Sequence, residues 1–351
     1  MGSEGRLGFA PRNTARSTAW LLALLVAVGG CSRHASAPTT LPATRPAAAE
    51  ATQPAASATG VASATPAKVA PAVQEGAPQI VMSSDLVHIE YHVYGHGDPA
   101  VILIHGWSAN ERYWDAQVAA LRDHYTVVTL DLAGHGASGR NRSEWTMARY
   151  GQDVAAVAHE LSNARLILVG HAMGGPVALE AVPLIGPRVI GVIGVDTFRR
   201  VGLPPPSPRA VDQQVEPFRK DFIGTMHTFV PQLFTRHANP VLVRKVADDM
   251  SRAAPQMAIP SLISLNALDY SAVLPHVHVP IVAIDSDLGD PLDAARIQRV
   301  APAFRAVVVK GEGNFLMLEN PQRFNPILLH EIATLAAAPA PASAHEPPAS
   351  R

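Results

Sequence analysis

Four short segments hold the residue types that chemistry could use, and each follows a run of apolar residues. Gly170-His171-Ala172-Met173-Gly174-Gly175 follows Leu166–Val169, and His105-Gly106-Trp107 follows Ala100–Ile104. Gly311-Glu312-Gly313-Asn314-Phe315 follows Arg305–Val309, and Asp285-Ser286-Asp287-Leu288-Gly289-Asp290-Pro291 follows Pro280–Ile284. Carboxylates, imidazoles and glycine-framed backbone amides are the materials of acid–base and oxyanion chemistry. A nucleophile is less evident. The residue framed by Gly170 and Gly174 is Ala172, whose methyl group cannot attack a carbonyl. Asn314 offers an amide with no proton affinity near neutral pH, so it cannot act as a general base. His276 and His278 have a spacing that can ligate zinc from a strand, although such a pair more often forms a polar face ahead of one. No metal site is expected.

The elements that position these segments alternate. Leu86–Tyr94 has the period-two pattern of a half-buried antiparallel strand. Ala100–Ile104, Thr126–Leu130, Leu166–Val169, Val189–Val195, Pro280–Ile284 and Arg305–Val309 are short continuous apolar runs, as expected of strands buried on both faces of a parallel sheet. Helical patterns such as Glu111–Arg122 and Met147–Leu161 lie between them. This alternation predicts an α/β fold with a mostly parallel, doubly wound sheet and ligands at the carboxyl ends of the strands. Residues 198–277 contain no such run, open on a proline cluster and then look helical, which predicts a lid inserted after the strand ending at Val195. Asp196, at that strand's end, is weighed as an alternative acid.

These motifs, with Asp131-Leu132-Ala133-Gly134-His135-Gly136-Ala137-Ser138 and Glu319-Asn320-Pro321-Gln322-Arg323-Phe324, resemble the α/β-hydrolase superfamily. The likeness is to its lidded carboxylesterase and lactonase branch and covers nearly all of residues 80–335. It implies an α/β-hydrolase fold with the lid after the sixth strand and a Ser–acid–His triad whose serine sits on a G-x-S-x-G elbow. Carried onto this chain, the nucleophile position is Ala172 and the histidine position is Asn314. The acid is Asp287, with Asp290 second. The oxyanion hole is formed by the amides of Trp107 and Met173. The 131–138 loop mainly shapes a turn. The resemblance therefore supplies a catalytic frame from which two catalytic side chains are missing.

The rest of the chain concerns location. Arg6, Arg12 and Arg16 precede ten apolar residues, Ala19–Val28, about half of the roughly 20 a membrane span needs. A basic region and a short apolar core read as a secretory signal over residues 1–30. The signal ends in Val28-Gly29-Gly30-Cys31, similar to a bacterial lipobox with Cys31 as the lipidated residue. Ser32, rather than Asp, suggests sorting to the outer membrane on its periplasmic side. Cleavage after Ala37 would instead give a soluble periplasmic or secreted protein. Residues 31–78 then form the lipidated cysteine and an Ala/Pro-rich tether too poor in large apolar groups to fold, reaching up to roughly 140 Å if extended. Residues 79–335 are the folded domain and 336–351 a disordered tail.

Composition narrows the function classes further. The formal net charge is −1, with 16% charged residues, so nothing favours nucleic acid as a partner. A single cysteine excludes internal disulfides and cysteine-rich zinc sites. G-x-G-x-x-G after the first strand and P-loop signatures are absent, so no cofactor is expected. The expected function is a membrane-tethered, non-hydrolytic pseudoenzyme that binds a small apolar or ester-like ligand or an unidentified protein partner. The alternatives are an active ester or lactone hydrolase with a non-standard arrangement, and an altered copy of an ordinary serine hydrolase.

Overall fold

A computed structural model describes residues 75–338. The signal, Cys31, most of the tether and nearly all of the tail lie outside the described residues.

Eight strands form one sheet: β1 (Pro78–Met82), β2 (His88–Tyr94), β3 (Ala100–Ile104), β4 (Thr126–Leu130), β5 (Leu166–His171), β6 (Val189–Val195), β7 (Ile281–Ser286) and β8 (Arg305–Val309). Their order is β1-β2-β4-β3-β5-β6-β7-β8. β2 runs antiparallel to both β1 and β4, and all other neighbours are parallel. β3 lies between β4 and β5, so the chain winds outward from it in both directions. That reversal opens the crevice in which doubly wound sheets bind ligands. All five residues of β3 are 0% exposed, which explains its uninterrupted apolar run.

The helices follow in chain order: α1 (Asp115–Leu121), α2 (Met147–Glu160), α3 (Gly174–Ile185), α4 (Pro208–Lys220), α5 (Phe222–Phe229), α6 (Pro240–Ser251), α7 (Pro255–Asn266), α8 (Tyr270–Val273), α9 (Ala294–Gln298), α10 (Leu316–Glu319) and α11 (Pro321–Ala337). α4 to α8 are the lid, inserted after β6. Its helices start at local signals. Ser207 Oγ accepts from the Ala210 amide ahead of Pro208, Asp221 caps α5, and Asn239 precedes Pro240. Proline tolerates the first helical turn, where its missing N–H is not needed. Among the described residues, no single helix is long and apolar enough to cross a membrane.

Three features differ from expectation. Glu75 and Gly76 belong to the fold rather than the tether: Gly76 N donates to Val93 O at 2.8 Å and Glu75 pairs with Arg122 at 2.6 Å. β1 then begins at Pro78. Its sequence gave little signal because its apolar side chains alternate outward, with Ile80 64% exposed. β8 is an edge strand and only partly buried, and α11 continues past residue 335 to Ala337.

Arg142 locks the loop after β4 to the N-terminal hairpin and α2. Its guanidinium pairs with Asp85 at 2.7 Å and with Asp153 at 2.5 Å. Asp153 also accepts from Ser83 Oγ at 2.7 Å and Ala133 N at 3.1 Å, so this buried charge has its hydrogen bonds filled. α2, which supplies Asp153, is capped by exposed Thr146, whose Oγ1 accepts from Arg149 N at 3.2 Å. Thr146→Ala is expected to lower stability by about 1 kcal/mol, measured as the urea unfolding midpoint at constant m-value.

Candidate active site

β5 enters a tight turn and leaves as α3, with Ala172 at the apex. Ala172 has φ +46°, a left-handed conformation that a non-glycine residue adopts at a cost. The turn is held from three sides. Ala172 N donates to Val195 O at 2.9 Å, Gly175 N to Ala172 O at 3.1 Å, and Thr197 Oγ1 to Ala172 O at 2.7 Å. Gly170 is required here because a Cβ would run into the Gly174 backbone. This is the elbow that the sequence motif implies, lifting position 172 to the top of the sheet. Ala172 is half-buried there.

Met173 follows Ala172 at the start of α3, and Trp107 lies in the loop after β3. Among the described residues neither backbone N–H makes a hydrogen bond within the protein. The Trp107 side chain is buried under the lid. Its indole Nε1 donates to Ala258 O at 2.8 Å, and Phe218, Phe222 and Phe229 pack edge-on against its ring at 5.3, 6.2 and 6.4 Å. Such edge-to-face packing is the favoured geometry for aromatic rings. The lid and the loop after β3 are therefore joined by one aromatic cluster.

Asn314 lies in the loop after β8 and reaches the crevice. Its Nδ2 donates to Asp196 Oδ2 at 2.6 Å. Asp287 and Asp290, the acids expected from the sequence, make no hydrogen bond to Asn314 among the described residues. Both are exposed, and Asp287 is occupied by the Gly311 amide at 2.7 Å. Asp196, at the end of the adjacent β6, is the carboxylate that Asn314 contacts. Asp196 is only 6% exposed and saturated with donors. Oδ1 accepts from Ser286 N, Ser286 Oγ and Arg199 at 2.9, 2.8 and 2.8 Å, and Oδ2 also accepts from Arg199 at 3.1 Å. An Asp placed directly after a buried strand is the local signal at Asp196, and Asp287 shares it.

His171 completes the cluster, and sequence reasoning gave it no role. Its Nε2 lies 3.0 Å from Asn314 O and 3.1 Å from Asn314 Oδ1. Both partners are oxygens that only accept, so Nε2 carries the proton and Nδ1 is bare. Burial lowers the affinity of this ring for a second proton. Asn314 is thus held at both ends of its amide, donating to Asp196 and accepting from His171.

Asp285, next to Ser286 on β7, is 0% exposed. Arg199 Nε is 3.7 Å from its Oδ2, and burial, with the nearby Asp196 charge, pushes its pKa up to about 7. His276 and His278 are both exposed, and among the described residues no group of three or more His, Cys, Asp or Glu could hold a metal.

Residues 101–327 match the model of the alpha/beta hydrolase family. The chain belongs to that family. A curated relative, the Karrikin insensitive 2 receptor CA of Petunia hybrida, is 24% identical over 262 residues, covering 68% of this chain and 94% of that protein. The pimeloyl-[acyl-carrier protein] methyl ester esterase of Xanthomonas axonopodis pv. citri is 26% identical, covering 71% and 100%. Among solved structures, the enol-lactonase of Burkholderia xenovorans LB400 superposes with a TM-score of 0.62 at 20% identity, over 73% of this chain and all of that one. This α/β-hydrolase domain therefore resembles esterases and lactonases in fold. It carries Ala172 at the turn after β5 and Asn314 in the loop after β8.

Proposed function

We propose that this protein is an exported, lipid-tethered α/β hydrolase relative that binds a small apolar, ester- or lactone-like ligand without hydrolysing it by the serine mechanism. The observation that carries this reading is Asn314 bridging Asp196 and His171 while a methyl group occupies the elbow. The bridge fills the place of a base with a group that accepts no proton. Retained backbone amides at Trp107 and Met173 would still offer donors to a ligand carbonyl. That a family relative is named as a receptor is in keeping with recognition on this fold. Cys31 and the tether would hold the domain at the outer membrane on its periplasmic side. Full-length chain should turn over p-nitrophenyl acetate, butyrate and γ-butyrolactone no faster than an unfolded-protein control. Clear turnover would overturn the reading.

The relatives named as esterase and lactonase favour a second reading, in which hydrolysis proceeds by another arrangement. It requires turnover that resists serine-directed fluorophosphonates and disappears when His171 or Asp196 is replaced.

A further inference from the structure

A separate cavity of about 160 Å³ lies between the lid and the loops after β3 and β4. Ser108, Asn110, His135, Arg140, Asp249 and Arg252 are among the residues lining it. Ala172, Asp196 and Asn314 are not, so it is distinct from the site described above. Two side chains in its wall have no partner among the described residues, the buried Ser108 and the exposed Arg140. Ser108 is 5% exposed, and its Oγ has no hydrogen-bond partner among the described residues. An unpaired buried hydroxyl is costly, and a ligand oxygen would relieve it.

The second is Arg140. Asp249 is the only acidic residue in the lining, and Arg252 already pairs with it at 2.8 Å. His135 adds no charge near neutral pH, because its Nε2 accepts the Ser108 amide at 3.3 Å and burial holds its pKa at about 3. The wall therefore carries one uncompensated positive charge, at Arg140. The carboxyl end of α6 is also covered, with Arg252 N and Ala253 N donating to Asp249 O and Met250 O at 3.2 Å each.

We propose that this cavity binds a small monocarboxylate, its oxygens held by the Arg140 and Arg252 guanidiniums and by the Ser108 hydroxyl. Guanidinium groups match carboxylate geometry with paired N–H donors. A single negative charge balances the wall, and the volume admits about five water equivalents, the size of a short-chain acid. The inference does not depend on the reading of the Ala172 site.

Calorimetric titration of the full chain with acetate and butyrate tests it, with butyramide and n-butylammonium as neutral and cationic matches. Saturable binding of at least one carboxylate is expected, with neither match binding. Arg140→Gln should weaken it at least about 10-fold and Ser108→Ala about 5-fold. The ligand-free unfolding midpoint of Arg140→Gln should stay as in the native chain, and that of Ser108→Ala should not fall, because it removes an unpaired buried hydroxyl. Absence of saturable carboxylate binding would overturn the proposal. So would equal binding of butyramide, or affinities unchanged in both variants.

Discussion

Ala172→Ser combined with Asn314→His is expected to raise hydrolysis of short acyl esters by at least about 10³-fold over the native chain. Loss of a triad nucleophile or base costs about 10⁴ to 10⁶ in rate, so restoring both leaves room for an imperfect graft. Each single change should stay near the native rate, because a serine without a base and a base without a nucleophile are equally ineffective. The frame supports the graft. Position 172 already has the left-handed elbow conformation, and Asp196 already accepts a hydrogen bond from side chain 314 at 2.6 Å. A histidine there would direct Nδ1–H at Asp196, and the free lone pair of its Nε2 could take the serine proton. One competitor stands close by. His171 Nε2–H now points at Asn314 and could occupy that lone pair, but the Asn314 carbonyl at 3.0 Å gives it another partner. The readout is the kcat/KM for p-nitrophenyl butyrate of the four chains in parallel. A folded double variant that remains inert would show that the crevice itself no longer admits an ester.

Why the glycines around Ala172 are legible in the sequence while the Asp196–Asn314 contact is not is a matter of range. Gly170, Gly174 and Gly175 are demanded by contacts within a few residues, and the buried strands by an apolar run that each displays by itself. The Asp196–Asn314 contact joins residues 118 apart across two strand ends, and no local pattern favours Asp196 over Asp287. Both follow apolar strands. Only the register of β6 beside β7, which sets Ser286 against the Asp196 carboxylate, separates them. β1 was hidden for another reason: an edge strand with an exposed Ile80 and Met82 has no buried face to print a pattern. His171 escaped notice because flanking a turn says nothing of where an imidazole reaches, and its partner is 143 residues away.

Stability should respond to pH in two opposed ways within the same window, and Asp285 separates them. His105 and His135 are buried as neutral rings with pKa values of about 4 and about 3, the first mainly through burial, the second through burial and the His105 charge. Their rings are 4.8 Å apart, and each already accepts a backbone N–H, from Leu132 and Ser108. A histidine depressed in the fold contributes stability above its unfolded pKa of about 6.5, lost as pH falls toward the folded value. Asp285 acts in the opposite sense. With its pKa raised to about 7, it contributes most below its unfolded value near 4, and that contribution fades as pH rises through 7. Glu319, also pushed up to about 7 chiefly by burial, acts in the same sense as Asp285. Asp285→Asn removes the Asp285 component alone. At pH 8 it should stabilise the protein by up to about 4 kcal/mol, because an ionised, unsolvated carboxylate no longer has to be housed. At pH 4.5 native Asp285 is protonated, and the difference should shrink to near zero. Urea unfolding of both chains between pH 4.5 and 8 measures it. A difference that does not vary with pH would mean that Asp285 is already ionised across the range, neutralised by the Arg199 guanidinium 3.7 Å away.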